Sequence, residues 1–363
     1  MQTEESGTPE VSAPGSTDGK NKFRIKIITR AAIIRLAVFA LFLMIMCVLG
    51  YYLMIRMPEK SYRGQLSALT EKQILIRDEL ARDVNKLAGE IGERNIWNYK
   101  QYTIAGDFIE TSLVQAGYKI RRQGYEADDK TCYNIEAEKA GTKHPEQIIV
   151  IGAHYDSAYG TAGANDNASG VAATLALARY FAGCTNVRTL RFVLFANEEP
   201  PFYHTDQMGS MVYAKDCRAK GDNIIAMLNL ETIGCYSDKP KSQSYPFPFN
   251  LIYPATGNFI GFISNLGDSR KLLNTVISSF RKNCQFPSEG GAIPEVIVGI
   301  NWSDHWSFWQ YDYPAIMATD TAPFRYQYYH SPDDTPDKID YSNMARVVSG
   351  LQSVIAELDS QGR

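Results

Sequence analysis

The sequence predicts an α/β protein: a single globular domain with a mostly parallel central sheet flanked by helices, plus one N-terminal transmembrane helix. Three observations carry this expectation. Strand-like apolar runs alternate with helical ones through the C-terminal part of the chain, the pattern of helices packed on a sheet. With 363 residues, 45% of them apolar, the chain can bury a large core. Near the N-terminus, Leu36 to Ile55 runs without a charge.

Residues 1–30 read as a disordered cytoplasmic tail. Up to Asp18 they are rich in Ser, Thr, Gly, Pro and Glu, with too little apolar surface to offset the entropy of ordering. Residues 31–56 read as the transmembrane helix, because about 20 apolar residues match the thickness of a bilayer core. A cleaved signal peptide would end in a small-x-small pattern, whereas Leu53-Met-Ile-Arg56 is bulky. Lys20, Lys22, Arg24, Lys26, Arg30 and Arg35 make the chain more basic before the run than after it, where Arg56, Lys60 and Arg63 stand. The positive-inside rule then places the N-terminus in the cytoplasm and the remainder outside, as a single-pass cell-membrane protein in a bacterial inner-membrane setting. Helical spacing of Leu69, Ile74, Leu80, Val84, Leu87 and Ile91 predicts a helix joining span to domain, with the linker helix at 57–79 and the domain at 80–363.

Within the domain, Gln147–Ala153, Leu190–Ala196, Ile224–Leu230 and Ala315–Ala318 read as strands. Ala168–Phe181, Met208–Lys220, Arg270–Lys282 and Asp340–Leu358 read as helices. A net charge of -3 argues against a nucleic-acid partner. The six cysteines have no C-x-x-C spacing, which excludes a thiolate zinc site.

The chemistry concentrates at strand ends. Ile151-Gly-Ala-His-Tyr-Asp156 closes an apolar strand with His154 and Asp156, and Gly163-Ala-Asn-Asp-Asn-Ala-Ser-Gly170 places Asp166 before a helix. Leu190–Ala196 ends in Asn197-Glu198-Glu199, the next strand in Glu231, and His330 follows a later strand and loop. Each residue alone has a plainer use: Asp166 as a helix N-cap, Glu199 or Glu231 as an ion-pair partner, His330 as a loop residue. Adjacent carboxylates at a strand end, however, are costly to enclose without a cation. Imidazoles and carboxylates without thiolates suit zinc that keeps open positions for water and substrate, and ligands of open α/β sheets bind at the carboxyl ends of the strands.

His154-Tyr-Asp156, Ala164-Asn-Asp-Asn-Ala-Ser-Gly170, Asn197-Glu-Glu199, Asn229-Leu-Glu231 and Tyr329-His330 resemble the motifs of the co-catalytic di-zinc aminopeptidases, a family that includes vacuolar aminopeptidase and glutamate carboxypeptidases. The resemblance runs from about Leu80 to the C-terminus and implies the zinc exopeptidase fold and a peptide substrate. It further implies two Zn2+ ions bridged by Asp166, with His154 and Glu231 on one, Glu199 and His330 on the other, and Glu198 as general base. By the same resemblance Asp156 and Asp304 are supporting carboxylates, and the Asp166–Asn167 peptide is cis. Many aminopeptidases of the family carry Asp where this chain has Glu231. His305, in the aromatic Asn301–Trp309 segment, is a competing metal candidate but is expected in the core or in support of the site, and His144 and His204 in loops. Arg325 near His330 is a candidate for binding a substrate carboxylate, which would favour a carboxypeptidase. Glutaminyl cyclase-like enzymes resemble the same fold with one zinc, and the presence of both His154 and Glu231 argues for two. A non-catalytic membrane receptor or scaffold on this fold would show lost ligands, and every position is filled.

Overall fold

The computed structural model describes residue 7 and residues 29–360, which divide into two compact units, Met1–Gly50 and Tyr51–Arg363. Nearly all of the tail expected at 1–30 lies outside the described residues. The first unit is α1 (Arg30–Gly50). Together with the turn Tyr51–Ile55 it forms an apolar helix of 26 residues with none of its apolar window buried. At 1.5 Å per residue it is about 39 Å long, enough to cross the ~30 Å hydrocarbon core of a bilayer. Length and composition alone also fit a signal sequence.

In the second unit the linker helix expected at 57–79 starts late: residues 57–70 are irregular, and α2 (Glu71–Val84) follows the N-cap Thr70, within the stretch whose apolar spacing predicted a helix. The reason is local. Pro58 and Gly64 disfavour a helix, whereas Thr70 and Gln73 form a capping box: Thr70 Oγ1 accepts from Gln73 N at 3.3 Å, and Gln73 Oε1 from Thr70 N at 3.1 Å. Leu80, Asp83 and Val84 are buried, so α2 is part of the domain.

The chain continues through α3 (Tyr99–Gln115), β1 (Ile120–Ala127), β2 (Lys130–Lys139), β3 (His144–His154), α4 (Gly170–Ala182), β4 (Arg188–Phe195), α5 (Gly209–Lys220) and β5 (Asn223–Glu231). It ends with β6 (Ile260–Ser264), α6 (Asp268–Asn283), β7 (Ser288–Ala292), α7 (His305–Trp309), β8 (Ala315–Thr319), α8 (Ala322–Arg325) and α9 (Tyr341–Ser360). One eight-stranded sheet has the order β1-β2-β4-β3-β5-β8-β6-β7. Its centre, β4-β3-β5-β8, is parallel; β1 and β2 join antiparallel on one side, and the parallel β6-β7 pair joins antiparallel on the other.

Central strands are covered on both faces, which makes them continuous apolar runs. On β3, Ile149, Ile151 and Ala153 face one core cluster, Ile148 and Val150 the other. The first cluster takes in residues of α2, α3, α4, α6 and α9, the second those of α5 and α7. All six cysteines are free thiols.

Candidate active site

Three neighbouring parallel strands bring the expected residues together. His154 is the last residue of β3, Glu231 the last of β5, and Glu198 and Glu199 follow β4. Asp166 lies in the turn entering α4, where Asp166 (φ -111°, ψ 93°) and Asn167 leave helical geometry and the peptide between them is cis. His330 arrives on the loop after α8, with φ 53°.

Asp166 occupies the middle. Its Oδ1 is 3.3 Å from His154 Nε2 and its Oδ2 is 3.0 Å from His330 Nε2. His154 Nε2 is also 3.3 Å from Glu231 Oε2, and His330 Nε2 is 3.3 Å from Glu199 Oε1. Ligands about 2.05 Å from a tetrahedral zinc stand roughly 3.4 Å apart, so both groups, His154-Asp166-Glu231 and Asp166-Glu199-His330, have the spacing of a metal's coordination edge. Glu198 belongs to neither; its Oε2 is 3.8 Å from His154 Nε2.

Electrostatics make the same demand. Asp156, Asp166, Glu198, Glu199, Glu231, Asp304 and Asp334 are all buried, against the fixed charge of Arg94, itself fully enclosed. Burial pushes the Glu199 carboxyl up to about 7 with help from Asp166, and raises Glu198 well above the carboxylate range. Burial also pulls His154 down, but Glu198, Glu231 and the nearby Asp156 and Asp166 carboxylates hold its imidazole well above the usual value; His330 rises to about 11 because Asp166 and Glu199 outweigh its own burial. In return both imidazoles keep Asp166 well below the usual value against the effect of burial. Both ring nitrogens of His154, Asp166 Oδ1 and Glu199 Oε1 are buried without a hydrogen bond, a cost that divalent cations among them would remove. The donor set of imidazole and carboxylate fits zinc.

Asp156 positions three groups at once: Oδ1 lies 3.3 Å from His154 Nδ1 and accepts from Glu198 N at 3.1 Å, while Oδ2 accepts from Glu199 N at 3.1 Å. Asp304 is fully buried, pushed up to about 7 by that burial, and makes no hydrogen bond to a cluster residue. Its neighbour Ser303 does so instead. Ser303 Oγ donates to Glu231 Oε2 at 2.6 Å and accepts from Asn229 Nδ2 at 2.7 Å.

Arg325, the candidate for a substrate carboxylate, is held by its own loops: its Nε donates to Gln243 Oε1 (2.7 Å) and its Nη1 to the carbonyls of Cys235 (3.0 Å) and Phe259 (2.8 Å), while its Nη2 is buried without a hydrogen-bond partner. His305 is a core residue, bonded to Ile300 O at 2.8 Å and packed edge-on to Trp309. His204 is stacked between Tyr203 and Trp306, and His144 begins β3 beside Glu146.

Sequence reasoning missed several positioning residues. Asp334 accepts from the backbone N–H of Asn165 (2.8 Å) and Asp166 (3.1 Å), and Arg94 donates to Tyr155 O (2.7 Å) and Gly163 O (2.8 Å), so the two fix the backbone leading into Asp166. Their only signal was proximity to the motifs. Also unforeseen was an apolar pocket of about 100 Å³ beside Glu231 and Tyr329. It lies over β8, β6 and β7, where Met317, Thr319, Gly261, Ile263, Glu289 and Gly291 line it. Segments 245–253 and 293–302 contribute Phe249, Tyr253, Ile297 and Val298 to its wall. No Lys or Arg lines it among the described residues.

Residues 134–355 match the family model described as peptidase family M28. The chain is 35% identical over 290 residues to the uncharacterized protein YfbL of Escherichia coli K12, covering 77% of this chain and 87% of that one. Among solved structures, the fold is similar to the Bacillus subtilis zinc aminopeptidase BSAP (TM-score 0.62, 13% identity, 78% of this chain and 94% of that one). It is also similar to the glutaminyl cyclase of Bacteroides thetaiotaomicron (TM-score 0.57, 20% identity, 77% and 97%). At these identities the structural likeness concerns the fold.

Proposed function

The chain belongs to peptidase family M28, and from that premise we propose that it is a zinc-dependent exopeptidase acting as an aminopeptidase with two ions per chain. The observation carrying the two-ion reading is that Asp166 offers one oxygen to each histidine, so that one carboxylate serves both groups. His154 and Glu231 would hold one ion, Glu199 and His330 the other. Bound zinc would polarise a carbonyl and make water acidic enough to ionise near neutral pH.

Glu198 is left free of both groups, and its high proton affinity suits a base that takes a proton from water and returns it to the leaving amine. Asp156 would orient His154 and hold the Glu198-Glu199 backbone, so one carboxylate sets the geometry of base and ligands together.

The choice of the amino end follows from charge. A free α-amine meets an acid-rich site, whereas a free carboxylate would need an available cation, and Arg325 already spends its Nε and Nη1 on loop acceptors. Rates on amino-acyl anilides and on N-blocked dipeptides test this: the account expects hydrolysis of the first only, and preference for the second would reverse it. The cyclase alternative is disfavoured by the grouping of His154 with Glu231 around a second ion position.

The apolar helix is read as a single membrane span, with the N-terminus cytoplasmic and the peptidase domain on the outer side. The domain is taken to begin with α2, since that helix is packed into it.

A further inference from the structure

The pocket wall is unusual on its outer side as well as its inner one. Pro246-Phe-Pro-Phe-Asn-Leu-Ile252 has no charged residue, and Ile293-Pro-Glu-Val-Ile-Val298 has one. While Phe249, Ile297 and Val298 line the pocket, neighbouring side chains point away: Phe247 is 80% exposed, Leu251 74% and Val296 86%. Large apolar residues grouped on two loops in this way mark an interaction surface.

What covers them is indicated by their neighbours. Met54, in the last turn of the apolar helix, packs against the same buried cluster as Phe249 and Ile297. The turn Tyr51–Ile55 touches β7, one of the strands under the pocket. Arg270 and Arg281 hold the segment that follows: Arg270 Nη2 donates to Arg56 O (2.8 Å), and Arg281 Nη1 to the carbonyls of Pro58 and Glu59 (3.0 Å each). Tyr51 and Tyr52 are exposed, as is Arg56, the residue types that settle at a membrane surface. Within the domain, the exposed loops therefore belong to the same region as residues 51–59, the segment that follows Gly50.

We propose that loops 246–252 and 295–298 dock into the lipid interface of the membrane that holds the apolar helix, so that the pocket they wall opens at the bilayer surface and receives peptides bearing a large apolar group from it. The proposal rests on the reading of that helix as a membrane span. Burying Phe247, Leu251, Ile252 and Val296 among headgroups and upper acyl chains follows the physics of an interfacial apolar face.

The test uses the full chain in vesicles of phosphatidylethanolamine and phosphatidylglycerol. An environment-sensitive fluorophore is placed at Leu251→Cys or Val296→Cys with Cys47, Cys184 and Cys235 replaced by serine, and quenching by nitroxide-labelled lipid is compared with that at Tyr159→Cys, another exposed site. Hydrolysis of a soluble amino-acyl anilide confirms that each variant is folded. The expected result is at least twofold stronger quenching at 251 and 296 than at 159. Quenching no greater than at 159 overturns the proposal, and so does a blue-shifted but unquenched label, which would mean that a protein or second copy covers the loops. Carbonate extraction separates the underlying reading: release of the chain removes the anchor, whereas retention with unquenched labels removes the docking alone.

Discussion

The two halves of the sheet do different work. At the carboxyl ends of β4, β3 and β5 and on the loops beside them, the buried His154, Asp166, Glu199 and Glu231 meet the exposed His330 with the spacing of metal ligands; over β8, β6 and β7 lies an apolar pocket that, among the described residues, no basic side chain lines. In the first half, parallel central strands covered on both faces end in turns whose backbone N–H groups are tied to Asp156 and Asp334. The second is shaped by long loops on an antiparallel flank. The contrast teaches that catalytic chemistry and substrate selection are separable here: one should survive damage to the other.

The sharpest way to break that separation is Glu198→Gln. The account expects activity to fall by about a hundredfold or more, the scale of general-base catalysis, with bound zinc unchanged by elemental analysis. Full activity in the metal-loaded variant would remove Glu198 from the base role.

Next in size is Ser303→Ala. Glu231 loses the hydroxyl donor at 2.6 Å, and a zinc titration against a chelator should show affinity reduced by roughly 10-fold to 100-fold, as for other groups that orient metal-binding residues. An unaltered affinity would mean that Asn167, 3.4 Å from the same oxygen, suffices.

On the other half, Ile297→Trp fills the pocket from the wall that segment 293–302 contributes. It should lower kcat/KM for bulky apolar terminal residues by about 10-fold relative to alanine, the range that pocket methylenes command, and leave zinc content unchanged. A uniform fall across substrates would show that the halves are coupled.

The smallest expected effect on catalysis is that of Arg325→Met. Its donors brace Gln243, Cys235 and Phe259, so thermal stability should drop while KM for a small anilide hardly moves. A large rise in KM with stability intact would return Arg325 to substrate binding.

The same division governs what could be read from the chain. The four strands β3, β4, β5 and β8 were legible because burial on both faces turns them into apolar runs, and His154, Glu198, Glu199 and Glu231 were legible because they sit at or just beyond the ends of such runs, whereas Asp166 and His330, on loops, took their expected roles from the family resemblance. The hairpin β1-β2 was not: its strands carry Arg121, Arg122 and Glu126 on exposed or half-exposed faces, and its two-residue turn, Asp128-Asp129 with both φ positive, lacks the glycine that signals such turns. β7, Ser288-Glu-Gly-Gly-Ala292, has no apolar period at all. Glycine there leaves room for the pocket, since a Cβ at Gly291 would stand 2.8 Å from Tyr253 Oη. The Ser303 and Asp334 bonds join residues 72 and 168 positions apart, a relation that only the folded chain creates.

The central claim is that one carboxylate, Asp166, joins two metal positions. Zinc per chain, measured by elemental analysis on purified wild type and on Asp166→Asn, tests it most directly. The account predicts about two ions in the wild type and loss of most zinc in the variant, because both groups lose their shared charge. One ion in the wild type, or a variant that still holds two, would contradict it.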